Sequence, residues 1–302
     1  MQHSNSRTAV HYRIRQTGEV VSEPVFAEAA LRWFYESRTG AWLFERFLNN
    51  GFISWLYGKW QERPASRRQI RAFATTYGIN LAELELPVDS YPSFNAFFCR
   101  RLKPGARPFA EDPAILPAPA DGKILVFPHL AAELLLPIKG NTVSLSVLLA
   151  SEAAARPYSG GTGMVIRLAP YDYHRFHFPD TGRVGMASLI PGRYHSVNPI
   201  ALAKVSQLYC HNKRAVTWFD SENFGRIAYV EVGALGVGSI VQTYDPGHVR
   251  RGAEKGYFQF GGSTLLLLFE PGVVEFAADL IWSSQAGIEN SIIAGSAIGK
   301  RP

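Results

Sequence analysis

Three short segments of this 302-residue chain carry side chains able to do chemistry. The first is Phe260-Gly261-Gly262-Ser263-Thr264, two glycines ahead of a serine at the head of the apolar run Leu265–Phe269. Glycine leaves the backbone sterically bare, so the carbonyl before Ser263 is open to attack. The same residues also suit a tight turn. Leu265 stands where a G-x-S-x-G elbow needs its last glycine, so an α/β-hydrolase nucleophile turn finds no support. The second segment is Asp172-Tyr173-His174-Arg175-Phe176-His177-Phe178-Pro179. Two histidines three apart beside a carboxylate suit general-base work, a zinc pair or plain local hydrogen bonding. Pro170 and Pro179 bracket the segment and disfavour the long helix of a zinc pair, and no third ligand stands out. The third is Pro119-Ala120-Asp121-Gly122-Lys123, where Asp121 either serves a site or closes a turn.

Two kinds of element must position these residues. Residues 1–20 read as a polar tail. Residues 21–105 carry helical signals, such as the stripe Phe26, Ala29, Ala30, Trp33 and Phe34 with Glu28, Arg32 and Glu36 opposite. Leu43, Phe44, Phe47 and Leu48 form a second stripe, and Phe52, Ile53, Leu56 and Trp60 a third. Ser66-Arg67-Arg68-Gln69 reads as a capping box, Gly78 as a helix end and Ser93 as a cap. After Lys103-Pro104-Gly105 the texture becomes β-rich: Lys123–Phe127, Met164–Leu168, Ala215–Phe219, Ile227–Val232, Ser239–Thr243, Ser263–Phe269 and Val273–Phe276. No regular helices separate these runs, which disfavours a doubly wound parallel sheet. The expected class is α+β, with N-terminal amphipathic helices packed on a mostly antiparallel, sandwich- or barrel-like catalytic core over 106–302.

Composition narrows the setting. Hydrophobic residues are 47% and charged residues 19%, enough apolar material for a sizeable core in one or two domains. Cys99 and Cys210 are the only cysteines, which excludes a disulfide scaffold and a four-cysteine zinc site. The opening residues lack the apolar centre of a secretory leader, and no apolar run is long enough to span a bilayer. Basic residues exceed acidic ones by 6. Four of the six tryptophans, Trp33, Trp42, Trp55 and Trp60, crowd the helical region beside Arg38, Arg46, Lys59, Arg63, Arg67, Arg68 and Arg71. Tryptophan favours the water–lipid boundary and basic groups favour anionic leaflets, although such helices also simply pack on protein. The basic residues are scattered and no nucleic-acid module occurs, so no nucleic-acid partner is expected.

Taken in order, the segments resemble those of phosphatidylserine decarboxylases. The resemblance runs from about Tyr57 to the C-terminus. It includes Tyr91-Pro92-Ser93-Phe94-Asn95-Ala96-Phe97-Phe98, Arg101-Leu102-Lys103-Pro104-Gly105-Ala106-Arg107-Pro108, Ala120-Asp121-Gly122 and Ile138-Lys139-Gly140. It continues with Asp172-Tyr173-His174-Arg175, His177, Ser196-Val197-Asn198-Pro199, Asn212-Lys213-Arg214, Val232-Gly233-Ala234, Val237-Gly238-Ser239-Ile240 and Gly262-Ser263-Thr264. Gly261 replaces a more usual leucine and marks a Gly-Gly-Ser-Thr branch.

The resemblance implies a self-processing enzyme of phospholipid biosynthesis. Ser263 attacks the Gly262 carbonyl, His177 takes its proton and Asp121 orients His177. Cleavage between Gly262 and Ser263 gives a β chain of residues 1–262 and an α chain of residues 263–302. Ser263 becomes a covalent pyruvoyl group, with no PLP and no metal, and this forms a Schiff base with phosphatidylserine on the way to phosphatidylethanolamine and CO2. His174 assists the second reaction, with Asp172 at a family acidic position and Ser196–Asn198 near the pocket. The implied setting is the cytoplasmic face of the cell membrane, on an anionic lipid surface, with a homodimer of processed protomers as a further expectation. Three alternatives stay open: a pyruvoyl decarboxylase of a soluble amino acid, a Ser/His/Asp hydrolase, and a lipid-surface module without activity.

Overall fold

The computed structural model describes residues 10–49, 51–131, 133–135, 142–234, 240–261 and 263–302. The motif residues Ile138-Lys139-Gly140 and Val237-Gly238-Ser239, and the cleavage residue Gly262, lie outside the described residues.

Among the described residues, eleven strands form one sheet. Its centre runs Arg214–Ser221, Arg226–Gly233, Ser263–Phe269, Thr162–Leu168, Gly122–Phe127, Glu289–Ile292 and His11–Ile14, and each neighbouring pair is antiparallel except the last. The apolar run Leu265–Phe269 is continuous because this strand is covered on both faces. Leu266 and Leu268 join Val165, Ala228 and Val230 in one core, while Leu265, Leu267 and Phe269 join Ile166, Ile227 and Tyr229 in another. Each such leucine contributes about 1.5–3 kcal/mol by its burial. The mixed α+β class matches the expectation. Two further three-stranded sheets flank this one; Arg175–His177 pairs with Glu254–Phe258 in the first, and Ala297–Lys300 pairs with Ile115–Pro117 in the second.

The N-terminal segment differs from the polar tail expected of it. His11–Ile14 pairs in parallel with Glu289–Ile292 and turns back through Val20–Ser22. Its basic residues are fixed by partners distant in sequence: Arg15 bonds the Asp279 carboxylate at 2.7 Å, and Arg13 lies over the Trp282 ring. Just beyond, Glu23 and Glu289 share the buried Arg167 guanidinium at 3.0 Å each. Removing one partner from such a buried set typically costs about 3–5 kcal/mol.

The helical region begins with Glu28–Glu36 and Arg38–Leu43, and Gly51–Gln61 and Ile70–Thr76 follow. Gly78, at φ +64°, ends the last of these as expected, and the Ser93 hydroxyl accepts from the Ala96 N–H. Ser66 departs from the capping-box reading. It sits inside the 3-10 turn Pro64–Gln69, where its hydroxyl donates to backbone carbonyls and accepts from the distant Phe94 N–H. A tertiary contact has taken the oxygen that a local cap would use.

Candidate active site

Ser263 is the first residue of the central strand, opposite Gly233 on one side and Leu168 on the other. It is fully buried. The approach to it is held from the helical region. The Phe260 N–H donates to Asn95 Oδ1 at 2.9 Å, and the Phe260 ring packs among Phe26, Tyr57, Phe94 and Phe98. Gly261 follows at φ +146°, backbone that side-chain-bearing residues rarely adopt. Two residues with opposite needs therefore stand before the serine: a ring that anchors and a glycine that bends.

The Ser263 hydroxyl lies 3.2 Å from His174 Nδ1. The other ring nitrogen, Nε2, lies 3.0 Å from the Ala169 carbonyl. A carbonyl only accepts, so Nε2 carries the proton and Nδ1 offers a lone pair to the serine O–H. The ring is stacked on Phe98 at 3.9 Å between centroids and is closed to solvent. Burial, and then the nearby Arg100 charge, hold His174 well below the ordinary histidine range, so it is neutral near pH 7.

His177 and Asp121 are placed differently from the triad expected of them. His177 Nδ1 donates to the Gly252 carbonyl at 3.0 Å, and its buried Nε2 has no partner among the described residues. Burial lowers its pKa too. The Asp121 carboxylate is taken by Arg107 at 2.7 Å and by the Ala294 N–H at 2.8 Å. Among the described residues neither forms a hydrogen bond to Ser263, nor do they bond each other. Asp121 reaches His177 only through space, where its charge favours the protonated ring.

Asp172 bonds Lys123 at 2.8 Å and the Ala169 N–H at 2.7 Å. Ser196 and Asn198 line a cavity of about 280 Å³ that also touches Phe34, Tyr57, Ala169 and Gly261. Sequence reasoning missed the Ala169 carbonyl, Arg100 and the Lys123 partner. The first is backbone, and the other two act across large sequence separations. Both thiols are free, and burial pushes Cys99 up to about 12 and Cys210 to about 11, so neither serves as a nucleophile at neutral pH. No group of three or more His, Cys, Asp or Glu able to hold a metal occurs among the described residues.

A buried serine hydroxyl beside the lone pair of a neutral imidazole brings together the two groups that acyl transfer to oxygen requires. Comparison with known proteins makes the class specific. Residues 94–300 match the family phosphatidylserine decarboxylase. A phosphatidylserine decarboxylase proenzyme of Ruminiclostridium cellulolyticum is 43% identical over 286 residues, 94% of this chain and 95% of that one. Those of Chlamydia muridarum and Clostridium botulinum are 43% and 41% identical, covering 96% and 97% of this chain and 97% and 99% of theirs. The chain belongs to the phosphatidylserine decarboxylase family.

Proposed function

We propose that this chain is a proenzyme that cuts itself between Gly262 and Ser263 and then converts phosphatidylserine to phosphatidylethanolamine and CO2. The contact of the buried Ser263 hydroxyl with an unprotonated nitrogen of the buried His174 ring is the observation that carries the reading. Ser263 Oγ adds to the Gly262 carbonyl carbon as a base takes its proton. The Gly262–Ser263 C–N bond breaks, leaving an ester and a free amine. Loss of the Ser263 Cα proton then expels the Gly262 carboxylate, and hydrolysis of the dehydroalanine releases ammonia.

His177 is proposed as the base for cleavage and His174 as the residue that moves a proton at position 263 in the second reaction. Charge supports this division. A protonated His177 is favoured by Glu254 and Asp121 and opposed by Arg175, whereas the charges acting on His174, Arg100 and Lys123, both oppose its protonation. In this assignment His174 holds the hydroxyl at rest, and the serine side chain turns to His177 to react. The His174–Ser263 contact itself favours a second reading, with His174 as the cleavage base. The pyruvoyl group formed from Ser263 supplies the electron sink for loss of CO2. Ser196, Asn198 and the apolar cavity wall are proposed to seat the lipid.

Intact mass tests this directly. The purified protein is expected to contain a chain of residues 263–302, about 4 kDa, retained without a covalent link. Retention follows from the sheet, since Ser263–Phe269 and Glu289–Ile292 each lie between two strands of the larger chain. Only an uncut 33.4 kDa chain, in a preparation that releases CO2 from phosphatidylserine, overturns the reading.

The proposed setting is an anionic membrane surface, with a homodimer of processed protomers as a further expectation. Trp42 is 64% and Phe52 67% exposed, and Trp33 and Trp60 are also exposed. No helix among the described residues is long and apolar enough to cross a membrane. Replacing Trp33, Trp42 and Trp60 together by serine is expected to reduce flotation with anionic vesicles at least tenfold, because each exposed ring contributes about 1 kcal/mol or more at an interface. Unchanged flotation removes the helices from that role.

A further inference from the structure

The mechanism leaves Asp172 without a task, although it is half-buried and both its carboxylate oxygens are engaged. Its surroundings form a closed turn. The Asp172 N–H donates to the Ala169 carbonyl at 2.9 Å, with Pro170 at the second position, where its fixed φ suits a turn. The Asp172 carboxylate reaches back to the Ala169 N–H at 2.7 Å. Lys123 Nζ holds both carboxylate oxygens at 2.8 and 2.9 Å, and itself lies 4.3 Å from the Tyr171 ring centroid. Arg100 Nη2 donates to the carbonyls of Tyr171 and Asp172 at 2.8 and 2.9 Å. The Asp172 carboxylate and N–H, the Ala169 N–H and the Tyr171 and Asp172 carbonyls are therefore each held by a partner within or behind the turn. The Ala169 carbonyl turns toward the site and accepts from His174 Nε2 at 3.0 Å, with the Pro170 backbone beside the same ring.

We propose that Asp172, held by Lys123, is a positioning residue that sets the tautomer of His174 through the Ala169 peptide. The Asp172 side chain grips the N–H of Ala169, and its own N–H grips the carbonyl of the same residue. The direction of that carbonyl decides which imidazole nitrogen carries the proton. With Nε2 protonated, the Nδ1 lone pair faces residue 263. In the other neutral tautomer an N–H faces it and cannot accept a proton. Asp172 thus acts two steps from the reacting atoms, and its oxygens are occupied by Lys123 and Ala169 rather than offered to substrate. A buried ion pair is a costly way to hold a turn, and fixing one conformation is its best-attested use. Burial pushes the Asp172 carboxyl upward, and the Lys123 charge and hydrogen bonds pull against that shift.

The inference rests on residue 263 being the reacting residue, and its test separates the two. Full-length Ser263→Ala protein, which needs no cleavage, is labelled with 15N-histidine and the His174 nitrogens are read by NMR. A single Nε2–H tautomer is expected. Adding Asp172→Ala is expected to give a mixture of both tautomers, whereas Asp172→Asn, which can still accept from Ala169 through its oxygen, stays closer to the parent. With Ser263 intact, Asp172→Ala is expected to lower kcat for CO2 release about 10- to 100-fold with KM changed less than twofold. If Asp172→Ala does not fold, Lys123→Met serves instead, with the same mixture expected and rescue by Lys123→Arg. An unchanged single tautomer in the folded variant overturns the proposal, even if activity falls. A wild-type chain that never cuts overturns the functional reading instead, and leaves the tautomer result standing.

Discussion

Replacing Ser263 by alanine is expected to leave a single uncut chain of 33.4 kDa and to abolish CO2 release from phosphatidylserine. Both losses come from one oxygen. In the proposed reaction it is the nucleophile for the neighbouring carbonyl and the atom whose later departure creates the second reaction's electron sink. Water does not compensate, because the proposed route needs an oxygen covalently attached to residue 263 that becomes the ester oxygen and then leaves with Gly262. The fold is expected to survive. The strand keeps its ladder to Arg226–Gly233 and Thr162–Leu168, and among the described residues the change leaves His174 Nδ1 without its donor. An unpartnered buried acceptor costs about 1–3 kcal/mol, enough to lower the unfolding midpoint without unfolding the protein. Intact mass, a CO2 assay and thermal unfolding on one preparation check all three statements. A small chain in Ser263→Ala protein means that another group makes the cut.

The legible parts of this structure were those written in consecutive residues. Leu265–Phe269 announced a strand because five apolar residues in a row suit a sheet buried on both faces. The two glycines announced a bare backbone, and Gly261 does adopt a glycine-favoured φ. Features made by distant partners were not legible. His11–Ile14 looked like a polar tail because its strand partner and its acidic partner lie more than 260 residues away. Ser66 looked like a cap until the Phe94 N–H claimed its oxygen. The histidine pair shows the same limit at the site. Its spacing identified two imidazoles but not which one meets Ser263, since that depends on the turn at Ala169 and on the carbonyl of Gly252. No side-chain pattern encodes either carbonyl.

Single alanine variants of the two histidines are expected to separate the reactions. His177→Ala should leave the chain uncut. His174→Ala should still produce the small chain, more slowly, and then release no CO2. The ground is electrostatic: the base for cleavage must carry a positive charge in the transition state, which Glu254 and Asp121 favour at His177 against Arg175, whereas Arg100 and Lys123 oppose it at His174. The pH profile supplies an independent check. Both rings have folded pKa values below the ordinary 6.5, so both stay neutral as acid is added until those lowered values are reached. Self-cleavage is therefore expected to be flat through pH 6.5 and to fall only below it. Stability moves the same way for a related reason. Once pH drops below 6.5 the unfolded chain binds protons that the folded chain refuses, so acid favours unfolding and neutral pH restores the fold. Cleavage must accordingly be timed on protein still folded by circular dichroism. If His174→Ala is uncut and His177→Ala cuts normally, the contact seen at rest is the reactive one, and the base is His174.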